Sequence, residues 1–573
     1  MVRALVSFLR KKATGSPKDQ RDRKWRLRLL FFALGVFCLF LPGRASIPPF
    51  DRDEPRYMEA TAQMLGSGNF VDVRFQDKPR YLQPAGIYWL ESVAVSAAGK
   101  QNFWQVWPYR IPSLLAIVAS AVLTARIGAL LFGRAAGLTG AALLVTSVLV
   151  TAEGRMATID SVLLLMVMLV QSLLLRVLLD RNANRETSLL TALGWWAALG
   201  CGLMLKGPVI LIPGFGTILG LWIAERDRSW WKRLRPAWGW LVMLLVVLPW
   251  CVAIDVVSHG EFFSRAVGRN FLGKIGHGQE AHGLPPGYHI LVFLLTFWPG
   301  SLFAVMSVPA IFAARKNFAV RFLLCWIIPH WMVFELIATK LPHYVMPVWP
   351  AVALLTGFIL VRAWHGEDIR PKSRTARVLI GLYGALWALL GLALICAGVV
   401  LSWVLEHHVP LSAWIATAGS LPLLFIVLRE IIKGRVWQGA MGAMGMAIII
   451  YAGLFLSVIP GLHSIWLAPR LAQLVEEYRP CPQTQVISIS FSEPSLVFMM
   501  HGDVQLKGVP DAVAAMKKNR SCTLVLIDRR SEDEFRKGLA GSDVSLVEFG
   551  RVKGVNYSNG KHLDIGLYGD SGN

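Results

Sequence analysis

Between Phe50 and Trp89 the chain reads FDRDEPRYMEATAQMLGSGNFVDVRFQDKPRYLQPAGIYW, with acids at Asp51, Asp53 and Glu54 and donors at Arg56, Lys78, Arg80 and Tyr81. Carboxylates of this kind can activate an attacking group or steady a cationic, sugar-like transition state. Lys, Arg and Tyr suit an anionic, phosphorylated ligand. A plain structural role competes for the acids. Asp53 or Glu54 can cap a helix that starts at Pro55 and stops near Gly66-Ser67-Gly68, and such a cap would hold the neighbouring carboxylate in place.

More distant residues have the same character. Asp160 opens an apolar run, and an ionisable group at the edge of such a run is a functional candidate, although an acid at an interface can also simply face water. Lys206 stands where two apolar helices meet around Lys-Gly-Pro. It is either a snorkelling lysine or a phosphate contact beside a new helix N-terminus. Lys340, His343 and Tyr344, the donors of the short turn KLPHY between two spans, follow the same logic. A second polar loop, Ser258 to His289, carries Arg265, Arg269, Lys274, His277, His282 and Tyr288. His277 and His282 have poor spacing for a metal on one helix face, so they read as loop histidines that could touch substrate, and no metal ligands are assigned.

The elements that must gather these residues are membrane spans. The chain is 55% hydrophobic and 16% charged over 573 residues, with mean hydropathy +0.51. Those values lie outside the soluble range. Apolar stretches of crossing length number about thirteen: Leu29–Leu41, Ile111–Phe132, Ala136–Ala152, Ala157–Leu179, Leu189–Leu205, Val209–Ala224, Trp238–Val257, Ile290–Ala314, Phe322–Ala338, Tyr344–Val361, Leu379–Leu405, Leu411–Leu428 and Met441–Pro460. Ile87–Ala98 is apolar but too short to cross, and reads as a helix lying in the interface or on the bundle.

A net charge of +22 could point to nucleic acid, but the Lys and Arg cluster in alternate short connections, the pattern that sets orientation in a membrane. It gives a cytoplasmic basic N-terminus at 1–28, a membrane domain at 29–460 with outer loops 45–110 and 258–289, and an outer α/β domain at 461–573. In that last domain QVISISF, LVFMM, VQLKG, CTLVLIDRR and VSLVEFG read as strands, and DAVAAMKKN and EDEFRKGLAG as helices. Cys481 and Cys522 lie there and can be paired or free.

In order along the chain, DEPRYMEA, RYLQPAGIYWL, MATIDSVLLL, LKGPVILIPG and KLPHYVMPVWPA resemble the GT-C membrane glycosyltransferases. More narrowly they resemble the ArnT-like branch, which includes the lipid A aminoarabinose transferases and is related to the protein mannosyltransferases. The motifs cover roughly residues 25–360. The resemblance implies a polytopic helical bundle of the GT-C fold with a periplasmic C-terminal domain, in a bacterial inner membrane. It implies Asp53 and Asp160 as the catalytic acids, and Lys206 and Tyr344 as contacts to the donor phosphate. Arg269, Lys78 and Arg80 are expected to add positive charge there, and Glu54, Arg56, Tyr81, His282 and Lys340 to make other substrate contacts. Relatives often carry Glu-Lys-Pro where this chain has Leu82-Gln83-Pro84. Their Lys reaches the phosphate and their Glu can hold a metal, so a divalent metal is left open, with Lys78 or Arg80 to replace the missing cation.

The implied activity moves a sugar from a polyprenyl phosphate, such as undecaprenyl phosphate, to an acceptor such as lipid A at the periplasmic face, with inversion. Rival readings are the same transfer to a protein or other glycan acceptor, a lipid or sugar transporter, and a polytopic scaffold. Transporters favour buried charge near the midplane and internal repeats, whereas here the charges gather at one face and no repeat is evident.

Overall fold

A computed structural model describes residues 17–273, 283–369 and 373–571. Among them, nine helices are long and apolar enough to cross a membrane, and the chain is a multi-pass membrane protein. The bilayer core has no water to satisfy backbone groups, so long uncharged runs become helices. The longest of the nine, Leu189–Ala224, folds back on itself at Gly207-Pro208. Trp195 meets Phe215 at 5.8 Å, and a Cβ on Gly202 would lie 2.5 Å from Ile210. It therefore supplies two of the expected crossings.

Two other expected crossings are broken. Ala136–Ala152 divides into helices Arg134–Val145 and Val148–Glu153, and Ile290–Ala314 into Tyr288–Thr296 and Ser301–Ala313. Thr146 and Ser147 turn their hydroxyls onto the carbonyls of Ala142 (2.8 Å) and Leu144 (2.7 Å), which competes with continued helix, while Pro299-Gly300 interrupts the second run. The breaks meet, and Val148 donates its N–H to the Trp298 carbonyl at 3.0 Å. Tyr451 covers the Thr146 carbonyl and Trp387 that of Pro299. Helix Pro17–Leu39 carries the first expected crossing. With the hairpin counted twice and these broken or charged stretches included, each expected apolar run falls on helix.

At one end of the bundle lie helix Asp53–Ser67, the short strands Arg74–Phe75 and Lys78–Pro79, and helix Gly86–Ala98. The first of these begins at Asp53 rather than Pro55. Its N-cap position is Arg52, with no side-chain cap, so Asp53 and Glu54 occupy the first turn, where the helix dipole favours negative charge. It ends at Gly68, whose φ of +69° suits glycine.

Glu54 is the structural anchor of this end. Its side chain is 1% exposed, and it grips Arg110, also 1% exposed, through Nε at 2.7 Å and Nη2 at 2.9 Å. It also accepts the backbone N–H groups of Phe50 and Ala157 at 2.8 and 2.7 Å. Arg110 in turn donates to the carbonyls of Arg44, Ile47 and Pro48.

The C-terminal region forms a five-stranded sheet in the order Val504–Leu506, Gln485–Ser488, Thr523–Asp528, Lys561–Asp570, Leu546–Asn556. The first three strands are parallel and the last two antiparallel to their neighbours. LVFMM, expected as a strand, is part of helix Pro494–Met499. Pro494 stands at its first turn, where proline favours helix, and a short buried apolar run fits either element. Strand Lys561–Asp570 was not expected, although the Asn559-Gly560 turn before it is a hairpin signal. Cys481 and Cys522 are paired.

This sheet domain sits on the first loop. Asp51 accepts from the Ser495 N–H (2.8 Å) and hydroxyl (2.6 Å), Phe498 meets Trp104 and Tyr109 edge to face, and Gly502 lies against buried Glu59. Burial, with the Asp503 charge adding to it, pushes the Glu59 carboxyl up to about 8, and burial raises Asp51 to about 6. A raised acid favours the fold when protonated. That contribution is whole below the unfolded value and is lost as pH rises through the folded one.

Two outcomes follow from these buried acids. Glu59→Gln should unfold at the same temperature as the unaltered protein at pH 4.5 and at a higher temperature at pH 8.5. The difference should open between about pH 4.5 and 8, read by scanning fluorimetry of the purified full chain. Arg110→Met, which strands Glu54, should cost roughly 3–5 kcal/mol of stability. The double change Glu54→Met with Arg110→Met should recover much of it in the same assay.

Candidate active site

A cavity of about 280 Å³ opens between the first loop and the bundle. Its walls are apolar: Leu163, Leu203, Val247, Trp250, Phe334 and Ile337 come from the spans. Part of the second loop, from Phe262 to Val267, closes one side with Phe262, Phe263, Ala266 and Val267. The polar lining is Gln83, Asp160, Lys206, His343 and Tyr344. The cavity is therefore amphipathic, with mainly apolar walls and one cluster of charged and polar side chains around Asp160 and Lys206.

Four elements position the charged cluster. Asp160 is in the first turn of helix Ile159–Asn182. Lys206 is the last residue of helix Leu189–Lys206, where the helix dipole favours a cation. Its Nζ lies 2.6 Å from Asp160 Oδ1, with both side chains less than 15% exposed, and 5.6 Å from the centre of the Tyr344 ring. His343 and Tyr344 come from the 3₁₀ segment Pro342–Val348. His343 Nε2 is 3.9 Å from Asp160 and its Nδ1 3.7 Å from Glu153. The fourth element, helix Val148–Glu153, supplies that last acid. Glu153 accepts from the Thr158 hydroxyl at 2.8 Å.

Asp53 is not among the residues that line the cavity. Its side chain is 68% exposed, 3.8 Å from Arg56, and its charge is felt at Arg80 and at Glu153. One turn further along the same helix, the Tyr57 hydroxyl donates to Gln83 Oε1 at 2.6 Å, which ties the helix to the cavity wall. Arg80 is buried; its guanidinium lies over the Tyr57 ring at 5.1 Å and donates to the Tyr88 hydroxyl at 3.1 Å. Asp53, Asp160, Lys206 and Tyr344 thus stand on one face of the bundle, together with the sheet domain.

Other expected contacts are placed elsewhere. Glu54 is not a substrate contact but the buried anchor of the loop, because both its oxygens are filled by Arg110 and backbone N–H groups. Lys78 is exposed in the small hairpin, whose turn is tied to the sheet domain by Gln76 on the Val504 carbonyl at 2.6 Å. It does not line the cavity. Tyr81 donates to Asp72 at 2.9 Å and packs on Phe262, bracing hairpin against second loop. Lys340 is 2% exposed and donates to the Ile337 carbonyl at the end of helix Phe318–Leu336. Arg269 lies in the helical segment Ser264–Leu272, but its side chain, like all of Lys274, His277 and His282, lies outside the described residues.

One neighbour of this cluster was missed as such: Glu153, which ends an apolar run. An acid at the end of an apolar run was the one signal available for Glu153. For a divalent metal the fit is poor. Leu82 and Gln83 offer one neutral oxygen, already taken by Tyr57, and no group of three or more His, Cys, Asp or Glu with metal-binding geometry occurs among the described residues.

Comparison with known proteins adds three findings. The family model for dolichyl-phosphate-mannose-protein mannosyltransferase matches residues 83–252, the stretch that supplies Gln83, Asp160 and Lys206. An undecaprenyl phosphate-alpha-4-amino-4-deoxy-L-arabinose arabinosyl transferase of Erwinia tasmaniensis is 28% identical over 395 residues, 67% of this chain and 66% of that protein. A second protein of that name, from Pseudomonas fluorescens, is 29% identical over 454 residues, 71% of this chain and 76% of that one. The matched stretch thus falls just short of two thirds of the Erwinia protein's length. Among solved structures, ArnT from Cupriavidus metallidurans bound to undecaprenyl phosphate superposes with a TM-score of 0.71 at 18% identity, over 95% of this chain and 98% of that one. The archaeal oligosaccharyltransferase AglB from Archaeoglobus fulgidus does so with 0.51 at 11% identity, over 89% and 70%. Likeness of sequence and likeness of fold converge: the chain is similar in sequence to these arabinosyl transferases and shares its fold with ArnT.

Proposed function

We propose that this protein is a glycosyltransferase that takes a sugar from a polyprenyl phosphate, undecaprenyl phosphate by analogy with its relatives, and transfers it with inversion to an acceptor such as lipid A. The observation that carries the reading is the amphipathic cavity. Its apolar walls suit a polyprenyl chain, and its polar cluster sets Lys206, His343 and Tyr344 where a phosphate would lie. The compounds named for the relatives agree with that chemistry.

In the proposed mechanism the acceptor oxygen attacks the anomeric carbon while the bond from that carbon to the phosphate oxygen breaks. The phosphate leaves as polyprenyl phosphate, its growing charge met by Lys206 and by the Tyr344 hydroxyl. Asp160 gives Lys206 a countercharge inside an apolar wall and holds it at the leaving group. His343, between Asp160 and Glu153, has an acid facing each ring nitrogen, so a proton on either is matched. Arg80 adds positive charge near Asp53. Asp53, exposed to water, takes the proton of a hydroxyl acceptor. Where the acceptor is a phosphate, already anionic, Asp53 positions it instead. No step passes through a metal.

Asp53→Asn should lower transfer by about 100-fold or more, in an assay of product formation from purified protein, polyprenyl-phosphate sugar and acceptor. Its unfolding temperature should not change, because the side chain is largely exposed. Normal turnover would remove Asp53 from the mechanism. The face of the membrane is also part of the proposal: N-terminus in the cytoplasm, sheet domain in the periplasm of the inner membrane. A single cysteine at Lys561 should then react with an impermeant maleimide in intact spheroplasts, and one at Arg21 only after lysis. The reverse pattern would put the site on the cytoplasmic side.

A further inference from the structure

A second cavity, of about 650 Å³, lies between the last turn of helix Arg374–Glu406 and the edge of the sheet domain. Its base is held together by Ser464, whose N–H and hydroxyl donate to the Glu406 carboxylate (2.7 Å) and the Leu405 carbonyl (2.9 Å). The Ser464 carbonyl accepts the Val555 N–H at 2.8 Å. Helix and sheet are thus tied at this point, and Glu406 is turned onto the backbone.

The depth of this cavity is set by its neighbours. Trp403 and Trp414, on adjacent helices, are 61% and 52% exposed. Exposed tryptophans at helix ends mark the interface between hydrocarbon and headgroups. Val400 and Val404, on the lipid-facing side of the same helix, are 52% and 62% exposed. The cavity begins at Val404 and His407, so it opens at headgroup level above an apolar ramp.

Its charge is positive. Arg529, Arg530 and Lys553 line it against Asp528 and Asp564. Asp528 is occupied by Arg530 at 2.6 Å. Asp564 is shared between Arg551, at 3.4 Å, and Lys553, at 3.8 Å, whose side chain is 72% exposed. Arg529 has no acid within ion-pair distance among the described residues. His407 and His562 add ring nitrogens. The geometry points to a binding site for the phosphodiester headgroup of an anionic phospholipid, with its acyl chains along the Val400–Val404 face and its phosphate on Arg529 and Lys553. Such a lipid anchors the sheet domain to the bilayer at a point away from the amphipathic cavity. The ramp below the cations favours a membrane lipid over free phosphate, which would gain nothing from it.

The test is native mass spectrometry of the full chain released from nanodiscs of phosphatidylglycerol or of phosphatidylcholine. The unaltered protein should retain one more tightly held phosphatidylglycerol than the double variant Arg529→Glu with Lys553→Glu. Each lost cation should weaken retention roughly fivefold. Arg529→Lys with Lys553→Arg should keep the lipid, and millimolar inorganic phosphate should not displace it. Equal retention of phosphatidylcholine by the unaltered protein, unchanged phosphatidylglycerol in the charge-reversed variant, or displacement by inorganic phosphate would each overturn the assignment. None of these readouts depends on glycosyl transfer.

Discussion

The buried ion pair of Glu54 and Arg110 is the constraint on which the outer face of this protein depends. Two charges that are 1% exposed are costly unless their hydrogen-bonding capacity is filled. Here it is filled by backbone from separate places: Phe50 and Ala157 on the acid, and Arg44, Ile47 and Pro48 on the base. The pair therefore joins the end of the first helix, the helix Asp53–Ser67, the start of helix Ile111–Phe132 and the turn before Asp160. Asp53 precedes Glu54 by one residue and Ala157 precedes Asp160 by three. One interaction thus fixes the register of both acids that bear on the site, while leaving Asp53 itself in water.

A related economy holds at the charged cluster of the cavity. A lysine among Leu203, Val247 and Phe334 needs a countercharge. Asp160 supplies it at 2.6 Å, and His343 and Glu153 extend the arrangement so that acid and base alternate away from the cavity. The apolar part of the second loop, Phe262 to Val267, closes the remaining side. A low-dielectric wall strengthens whatever charge lies within it, so the same residues that suit a lipid chain also raise the value of Lys206 to a phosphate.

Much of this was legible in the chain, for identifiable reasons. Crossing helices follow from run length and from the backbone's need for partners in lipid, so each expected run is helical. Where a run breaks is not a matter of hydropathy. Thr146-Ser147 and Pro299-Gly300 look tolerable within apolar sequence, and the breaks are stable because Val148 and Trp298 meet across about 150 residues of chain. Asp53, Asp160 and Lys206 drew attention because charge beside an apolar run is uncommon, Tyr344 because its turn is rich in donors, and the resemblance supplied the roles expected of all four. Glu54 shared the first signal and proved structural. Adjacent carboxylates on one helix turn differ in which way they face, and sequence does not tell which is inward. Lys78 misled for the opposite reason: nearness along the chain to Gln83 did not survive the hairpin, which turns toward the sheet domain.

The Leu82-Gln83 departure then acquires a physical consequence. In a site where a loop lysine reaches the phosphate, positive charge arrives from the water side. In this chain Gln83 is neutral and bound to Tyr57, Lys78 faces away, and Arg80 is held between Tyr57 and Tyr88. Among the described residues, the cation that lines the cavity comes from the end of a span, Lys206, and it is paired with Asp160. A cation fixed in a helix end is less mobile than one in a loop and is already paired before any ligand enters. In the proposed mechanism the phosphate competes with Asp160 for Lys206 and, once it leaves, Asp160 restores the pair. On that reading the same acid holds down affinity for the spent carrier, which favours release of product from a cavity otherwise lined with hydrocarbon.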